Sequence, residues 1–221
     1  MPGGPALFLL AGPNGSGKST LQRFLARRFR AIGDLEFVNA DDIAKSLPGR
    51  DSPERAREAQ KKADARRAEL IAAGTSFCTE TVFSHESRVE LIRQAKSAGF
   101  SVYLIAVCVE SPALAEMRVQ QRVARRGHDV PSDRIHQRYP RTLRNLAQAA
   151  RIADCTLIFD NSRLNMTPRL VFAAGMGQLL HESGDVPGWA EPIASAAKAL
   201  TTGRGAAPEA LTAFVETLTR K

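Results

Sequence analysis

The chain has 221 residues, of which 43% are hydrophobic and only 6% aromatic. That is enough apolar material for a substantial core, with no aromatic platform for stacking nucleic-acid bases. Thirty-one Lys and Arg against 23 Asp and Glu leave a net charge of +8, which asks for an anionic partner such as a nucleotide, a nucleic acid or an acidic lipid. No stretch approaches membrane-span length and the N-terminus lacks a basic n-region and an h-region, so a cytoplasmic protein with no membrane contact is expected. Cys78, Cys108 and Cys155 are odd in number and each lies in an apolar run, which reads as reduced core thiols rather than a disulfide framework.

In chain order, ALFLLA (6–11) is a buried strand. The helix after it carries Leu21, Phe24, Leu25, Phe29 and Ile32 on one stripe, with its arginines mostly off that stripe. EFVNA (36–40) is a second strand, followed by a helix starting near Ile43 for which Asp42 is the expected N-cap. Ser52, Pro53 and Glu54 are an N-cap, first-position and first-turn set, and Gly74 closes the same helix. TSFCTETV (75–82) is the third strand, Ser84 to Gly99 a helix, and SVYLIAVCV (101–109) the fourth strand. Two further helices, about 111–126 and 132–152, flank the hinge RRGHDVPSD, and CTLIFD (155–160) is the fifth strand. RLVFAAGMGQLL (169–180) reads as a glycine-turned hairpin in preference to a broken helix, and TGRGAAP (202–208) as a linker to a final amphipathic helix. Strands alternating with helices imply a parallel sheet covered on both faces.

Between the first strand and first helix lies Gly12-Pro13-Asn14-Gly15-Ser16-Gly17-Lys18-Ser19-Thr20, which matches G-x-x-x-x-G-K-[ST] at every fixed position. Glycines let successive N–H groups turn inward as an anion nest, and the helix start adds unpaired donors and its positive dipole end. Lys18 reaches the β- and γ-phosphates, and the Ser19 hydroxyl completes a Mg²⁺ sphere built from phosphate and water. Thr20 reads as a first-turn helix residue at the rim of the same loop. The expected ligand is a nucleoside triphosphate, ATP or GTP.

Ligands of open α/β sheets sit beyond the carboxyl ends of the strands. There the second strand places Asn39, Asp41 and Asp42, and the third places Glu80 and Thr81. A carboxylate in that position can orient an acceptor hydroxyl and take its proton, a task assigned to Asp41. Glu80 lies in an apolar strand and needs a partner or a wet pocket, and its expected place is the acceptor site. From Arg118 to Arg144 there are eight arginines and only two acids, Asp129 and Asp133. Arg118, Arg122, Arg125 and Arg126 follow helical spacing into the hinge, as a lid over the triphosphate would, while His128 either touches substrate or holds the turn.

With these residues placed, the chain resembles the zeta toxin family of P-loop kinases, in particular its short, stand-alone members. The resemblance runs through LFLLAGPNGSGKST, FVNADDIA, ETVFSHESRVELIRQAKSAGFSVYLIAV and RVARRGHDVPSDRIHQRYPRTLRNL to LIFDNS. It implies transfer of the γ-phosphate of ATP or GTP to the sugar 3′-hydroxyl of UDP-N-acetylglucosamine, and an antitoxin that covers the nucleotide site. Carried over by residue, it implies Lys18 and Ser19 as the P-loop pair, Asp41 as base, Glu80 and Thr81 as substrate contacts, and Arg122 with Arg125 or Arg126 as the phosphate-binding arginines.

The expected architecture is an α/β P-loop kinase with central strand order 2-3-1-4-5, a core at 1–165 with a lid at about 118–138, and a C-terminal extension at 166–221. A nucleic-acid-associated NTPase, using the arginine helices on phosphate backbone, and a nucleotide switch without an acceptor are the rival readings.

Overall fold

Six consecutive apolar residues with no polar alternation suit a strand buried on both faces, and Ala6–Ala11 forms such a strand, β1, inside the sheet with a strand paired on either side. A computed structural model describes residues 4–49, 52–125, 129–164, 166–202 and 209–219. Around β1 lie β2 (Glu36–Val38), β3 (Phe77–Thr81), β4 (Ser101–Cys108) and β5 (Cys155–Asp160), all parallel, in the expected order β2-β3-β1-β4-β5. The sheet then continues antiparallel through β6 (Arg169–Gly175) and β7 (Gln178–Glu182) to seven strands. That pair is the expected hairpin. Its two-residue loop, Met176-Gly177, has φ 52° and 80°, the two positive angles a type I′ turn requires.

One face of the sheet is covered by α4 (Pro53–Ala72), α5 (Ser87–Ser97), α6 (Pro112–Ala124), α7 (Ser132–Ala150) and α8 (Glu191–Lys198), packed on Leu7, Leu9, Phe77, Val102 and Leu104. The other is covered by α1 (Lys18–Arg28), the single turn α2 (Arg30–Gly33) and α9 (Glu209–Thr219). The stripe expected as one helix is broken: Phe29 is extended, at φ −128°, so Ile32 belongs to α2. The break turns the Phe29 ring onto Phe214 of α9, with centroids 4.2 Å apart, while Arg28 donates to the Thr217 carbonyl at 3.3 Å. Aromatic packing here outweighs helix propensity, since no glycine or proline marks the break. The three cysteines are free and buried, and burial pushes each thiol up to about 12. Among the described residues no helix is long and apolar enough to cross a membrane.

The second strand stops at Val38, two residues earlier than expected, and α3 (Ala40–Ser46) follows at once. Its N-cap is Asn39, whose Oδ1 accepts the Asp41 N–H at 2.8 Å, so the expectation that Asp42 caps this helix is corrected. Asp42 is a first-turn residue paired with Lys45 at 2.6 Å. None of the residues of α3 is fully buried. Ala40 and Ile43 rest half-buried against the core, and Arg55 of α4 donates through Nε to the Ala44 carbonyl at 2.7 Å and through Nη1 to the Gly49 carbonyl beyond the helix at 2.7 Å.

Over the carboxyl ends of β3 and β4 lies α7. Three of its side chains, spaced by three residues, donate to strand-end carbonyls: Tyr139 to Val109 at 2.5 Å, Thr142 to Val82 at 3.0 Å and Asn145 to Phe83 at 3.0 Å.

The best-resolved local signal is the start of α4, where the Ser52 hydroxyl accepts the Arg55 N–H at 3.2 Å and Pro53 occupies the first turn. Ser52→Ala should cost about 1 kcal/mol, seen as a fall in Tm of about 2–4 °C by scanning calorimetry. An unchanged Tm would mean that the cap contributes nothing to α4.

Candidate active site

From Ala11 the chain turns through residues 12–17 into α1. Two glycines show why no side chain is tolerated there. Gly15 has φ +76°, and a Cβ on it would stand 2.2 Å from the Ala115 carbonyl oxygen in the first turn of α6. Gly17 has φ +92°, and a Cβ there would stand 2.2 Å from Nδ2 of Asn161. That same Nδ2 donates to the Ser16 carbonyl at 2.9 Å, so the residue after β5 braces the loop. At the start of the loop the Gly12 N–H reaches the Thr81 carbonyl at 3.4 Å, which ties it to the end of β3.

No side chain caps α1, so its first N–H groups and positive dipole end face outward, the arrangement that attracts an anion. Asn14 Oδ1 and Ser16 Oγ are buried with no hydrogen-bond partner among the described residues. Lys18 is only 7% exposed. Its ammonium donates to the Pro13 carbonyl at 3.1 Å and stands 3.9 Å from Glu80. The Ser19 hydroxyl donates to the same carboxylate at 3.2 Å. Burial pulls Lys18 below the usual lysine range, against the opposing pull of Glu80 and Asp41. Burial likewise pushes Glu80 above the usual carboxylate range, opposed by Lys18 and by the Ser19 hydroxyl. Arg122 also lies near enough to act on Lys18. The fold therefore brings Lys18 and Ser19 of α1 against Glu80 of β3, with Asp41 of α3 and Arg122 of α6 close enough for their charges to act on Lys18.

Other expected residues are committed elsewhere. Asn39 caps α3, and Thr81 Oγ1 accepts the Phe83 N–H at 3.3 Å. Arg118, half-buried, donates to the Arg163 carbonyl at 3.1 Å and is attracted by Asp160. Arg125 is exposed at the C-cap of α6, and Thr20 is exposed on α1 beside Arg23 and Arg27. Arg126 and His128 lie outside the described residues. Sequence reasoning missed Asn161 and Asp160, the latter accepting from the Ser162 N–H at 3.2 Å and hydroxyl at 2.5 Å. Their one signal is a polar run, Asp-Asn-Ser, directly after a wholly apolar strand at its carboxyl end.

Residues 7–144 match AAA_33, an AAA domain family. The chain belongs to this family. This AAA_33 domain has a P-loop kinase-like fold and shares it with several solved structures. One, from the PezAT chromosomal toxin-antitoxin system of Streptococcus pneumoniae, is 17% identical over 97% of this chain and 85% of that one, with TM-score 0.54. The native AvrRxo1-ORF1:ORF2 complex gives 19% identity over 99% and 77%, with TM-score 0.56. The same pair with ATP gives 17% over 99% and 72%, with TM-score 0.54. At such identities the likeness is one of fold. No curated protein matches the AAA_33 chain by sequence.

Asn161→Ala removes the brace on the Ser16 carbonyl and leaves the rest of the loop intact. Affinity for ADP with Mg²⁺ should fall about tenfold, the order of one buried hydrogen bond, as read by titration calorimetry. Wild-type affinity in the folded variant would show that the loop holds its shape without Asn161.

Proposed function

We propose that the protein is a kinase that moves the γ-phosphate of ATP or GTP to a hydroxyl of a small molecule, with a UDP-amino sugar such as UDP-N-acetylglucosamine as the leading acceptor. The observation that carries the reaction type is a P-loop lysine and serine set against a carboxylate at the end of β3, with the charges of Asp41 at the start of α3 and of an arginine in reach of the lysine. The UDP-sugar rests on the ordered motifs that resemble zeta toxins; the PezAT structure shares the fold and comes from a toxin-antitoxin system. That resemblance also names the protein partner to look for, an antitoxin covering the nucleotide site.

In this reading the loop N–H groups and Lys18 bind the triphosphate, and its arrival replaces the Pro13 and Glu80 contacts of Lys18. Oxygen donors suit Mg²⁺, and the Ser19 hydroxyl, beside Glu80, would hold it together with phosphate oxygens. When bound, the ion neutralises charge on the β- and γ-phosphates. Asp41, exposed at the start of α3, orients the acceptor hydroxyl and takes its proton as the oxygen bonds to the γ-phosphorus and ADP departs. Arg122 faces the transferring group, where its charge acts most on the transition state. Glu80 serves the P-loop side, as a carboxylate 3.2 Å from Ser19, more directly than the acceptor.

A panel of UDP-sugars, nucleosides and sugars, assayed for acceptor-dependent ADP release with mass spectrometry of the product, identifies the substrate. Lys18→Ala should then abolish transfer and leave circular dichroism unchanged, because the triphosphate loses its buried cation. Full activity in that variant would sink the P-loop assignment.

Asp41→Asn and Asp42→Asn separate the base from its neighbour. Asp41→Asn should bind nucleotide as wild type does and lose roughly 10²–10⁴ in kcat, the size of a missing general base. Asp42→Asn loses only an exposed pair with Lys45, a contact of little energetic weight, and should keep its rate. Initial rates with the identified acceptor decide; a reversed order assigns the proton transfer to Asp42, and two active variants assign it to neither.

A further inference from the structure

The turn between β3 and α5 contains a bulky residue in a conformation that side chains avoid. Phe83 has φ +64° and is fully buried. A left-handed backbone at a non-glycine residue persists only where the surroundings impose it, and such residues collect at functional sites. Here the surroundings are identifiable. The Phe83 N–H bends back to Thr81 Oγ1 at 3.3 Å. The carbonyls on either side of the left-handed residue, those of Val82 and Phe83, are taken by Thr142 and Asn145 of α7. Thr142 is fully buried and Asn145 is 7% exposed; the Phe83 carbonyl is buried with its partner, while Val82 is half-buried.

This turn immediately follows the two residues that bear on the site. Glu80 faces Lys18 and Ser19, and the Thr81 carbonyl accepts the first N–H of the P-loop, that of Gly12. A β3 end that relaxed by one peptide would move both contacts. The helix that holds it is the one that bears Arg134, Arg138, Arg141 and Arg144.

We infer that Thr142 and Asn145 are positioning residues for phosphoryl transfer: from α7 they hold the β3–α5 turn in its strained form, and so fix Glu80 and the Thr81 carbonyl against the P-loop. The role rests on the kinase reading for its effect on rate, but the clamp itself does not. Neither residue touches substrate. Their contribution is geometric, and a misplacement of about 1 Å can cost on the order of 10²-fold in rate.

Three variants test it. Thr142→Val keeps the shape and removes the donor, Thr142→Ser keeps the donor, and Asn145→Ala removes the second bond. Amide hydrogen exchange over residues 80–86 is measured in each. The dissociation constant for Mg²⁺ with a non-hydrolysable ATP analogue, and the rate of ATP turnover with water as acceptor, are measured alongside. The expected result is exchange about tenfold faster at 80–86 in Thr142→Val and Asn145→Ala, with the core of β1 and β4 unchanged. Analogue affinity should hold while turnover falls by about 10², and Thr142→Ser should restore both. Unaltered exchange at 80–86 overturns the clamp. Faster exchange with wild-type turnover, or a Thr142→Ser variant as slow as Thr142→Val, overturns the positioning role and leaves two ordinary core bonds. Where wild type turns over no ATP with water, the rate is read with the acceptor the panel identifies; if it turns over none with any acceptor, the kinase reading fails and the exchange result alone decides the clamp.

Discussion

Everything at the site depends on how closely the loop between β1 and α1 is wedged among its neighbours. It is pressed by the first turn of α6 at Gly15 and by Asn161 at Gly17, each at a distance that would exclude a methyl group. A loop so confined presents its N–H groups in one arrangement. Little conformational entropy then has to be surrendered when a triphosphate settles, since the ordering was done during folding. It also means that the residue after β5, remote in sequence, shapes this loop through an uncharged amide.

Charge burial is the second consequence. Lys18 and Glu80 are placed where each raises the desolvation cost of the other's absence and neither is fully compensated, as their opposed shifts show. Such a pair is weak evidence of stability and good evidence of use. The cation has an anion beside it at 3.9 Å, too far for a hydrogen bond, so exchange for phosphate oxygens loses little.

Much of this was legible in the sequence where a residue type admits one conformation. The glycine-rich loop, the Ser52-Pro53 start of α4 and the five apolar strands all fall where pattern and propensity agree. Where two signals competed, tertiary contacts decided. Asn39 and Asp42 are both good caps, and the early end of β2 selected the first. Nothing in the run around Phe29 encodes a break, because its cause is Phe214, nearly two hundred residues on. Asn161 looked like any loop asparagine, since its partner is a backbone carbonyl that carries no sequence signature. Glu80 is a similar case: its strand was clear, but that its carboxylate meets Lys18 and Ser19 is set by the register of β3 against β1.

The shallow seat of α3 has a further meaning. The helix carrying Asp41 has no fully buried residue; Ala40 and Ile43 rest half-buried on the core, and Arg55 bonds the Ala44 carbonyl, a contact indifferent to the side chains around it. Its outward positions can be replaced at little thermodynamic cost, while the loop that holds phosphate admits almost no change. If Asp41 serves the acceptor as proposed, that side of the site is free to drift through many sequences under a fixed phosphate loop, and relatives with the same fold could diverge in what they phosphorylate without first having to be restabilised.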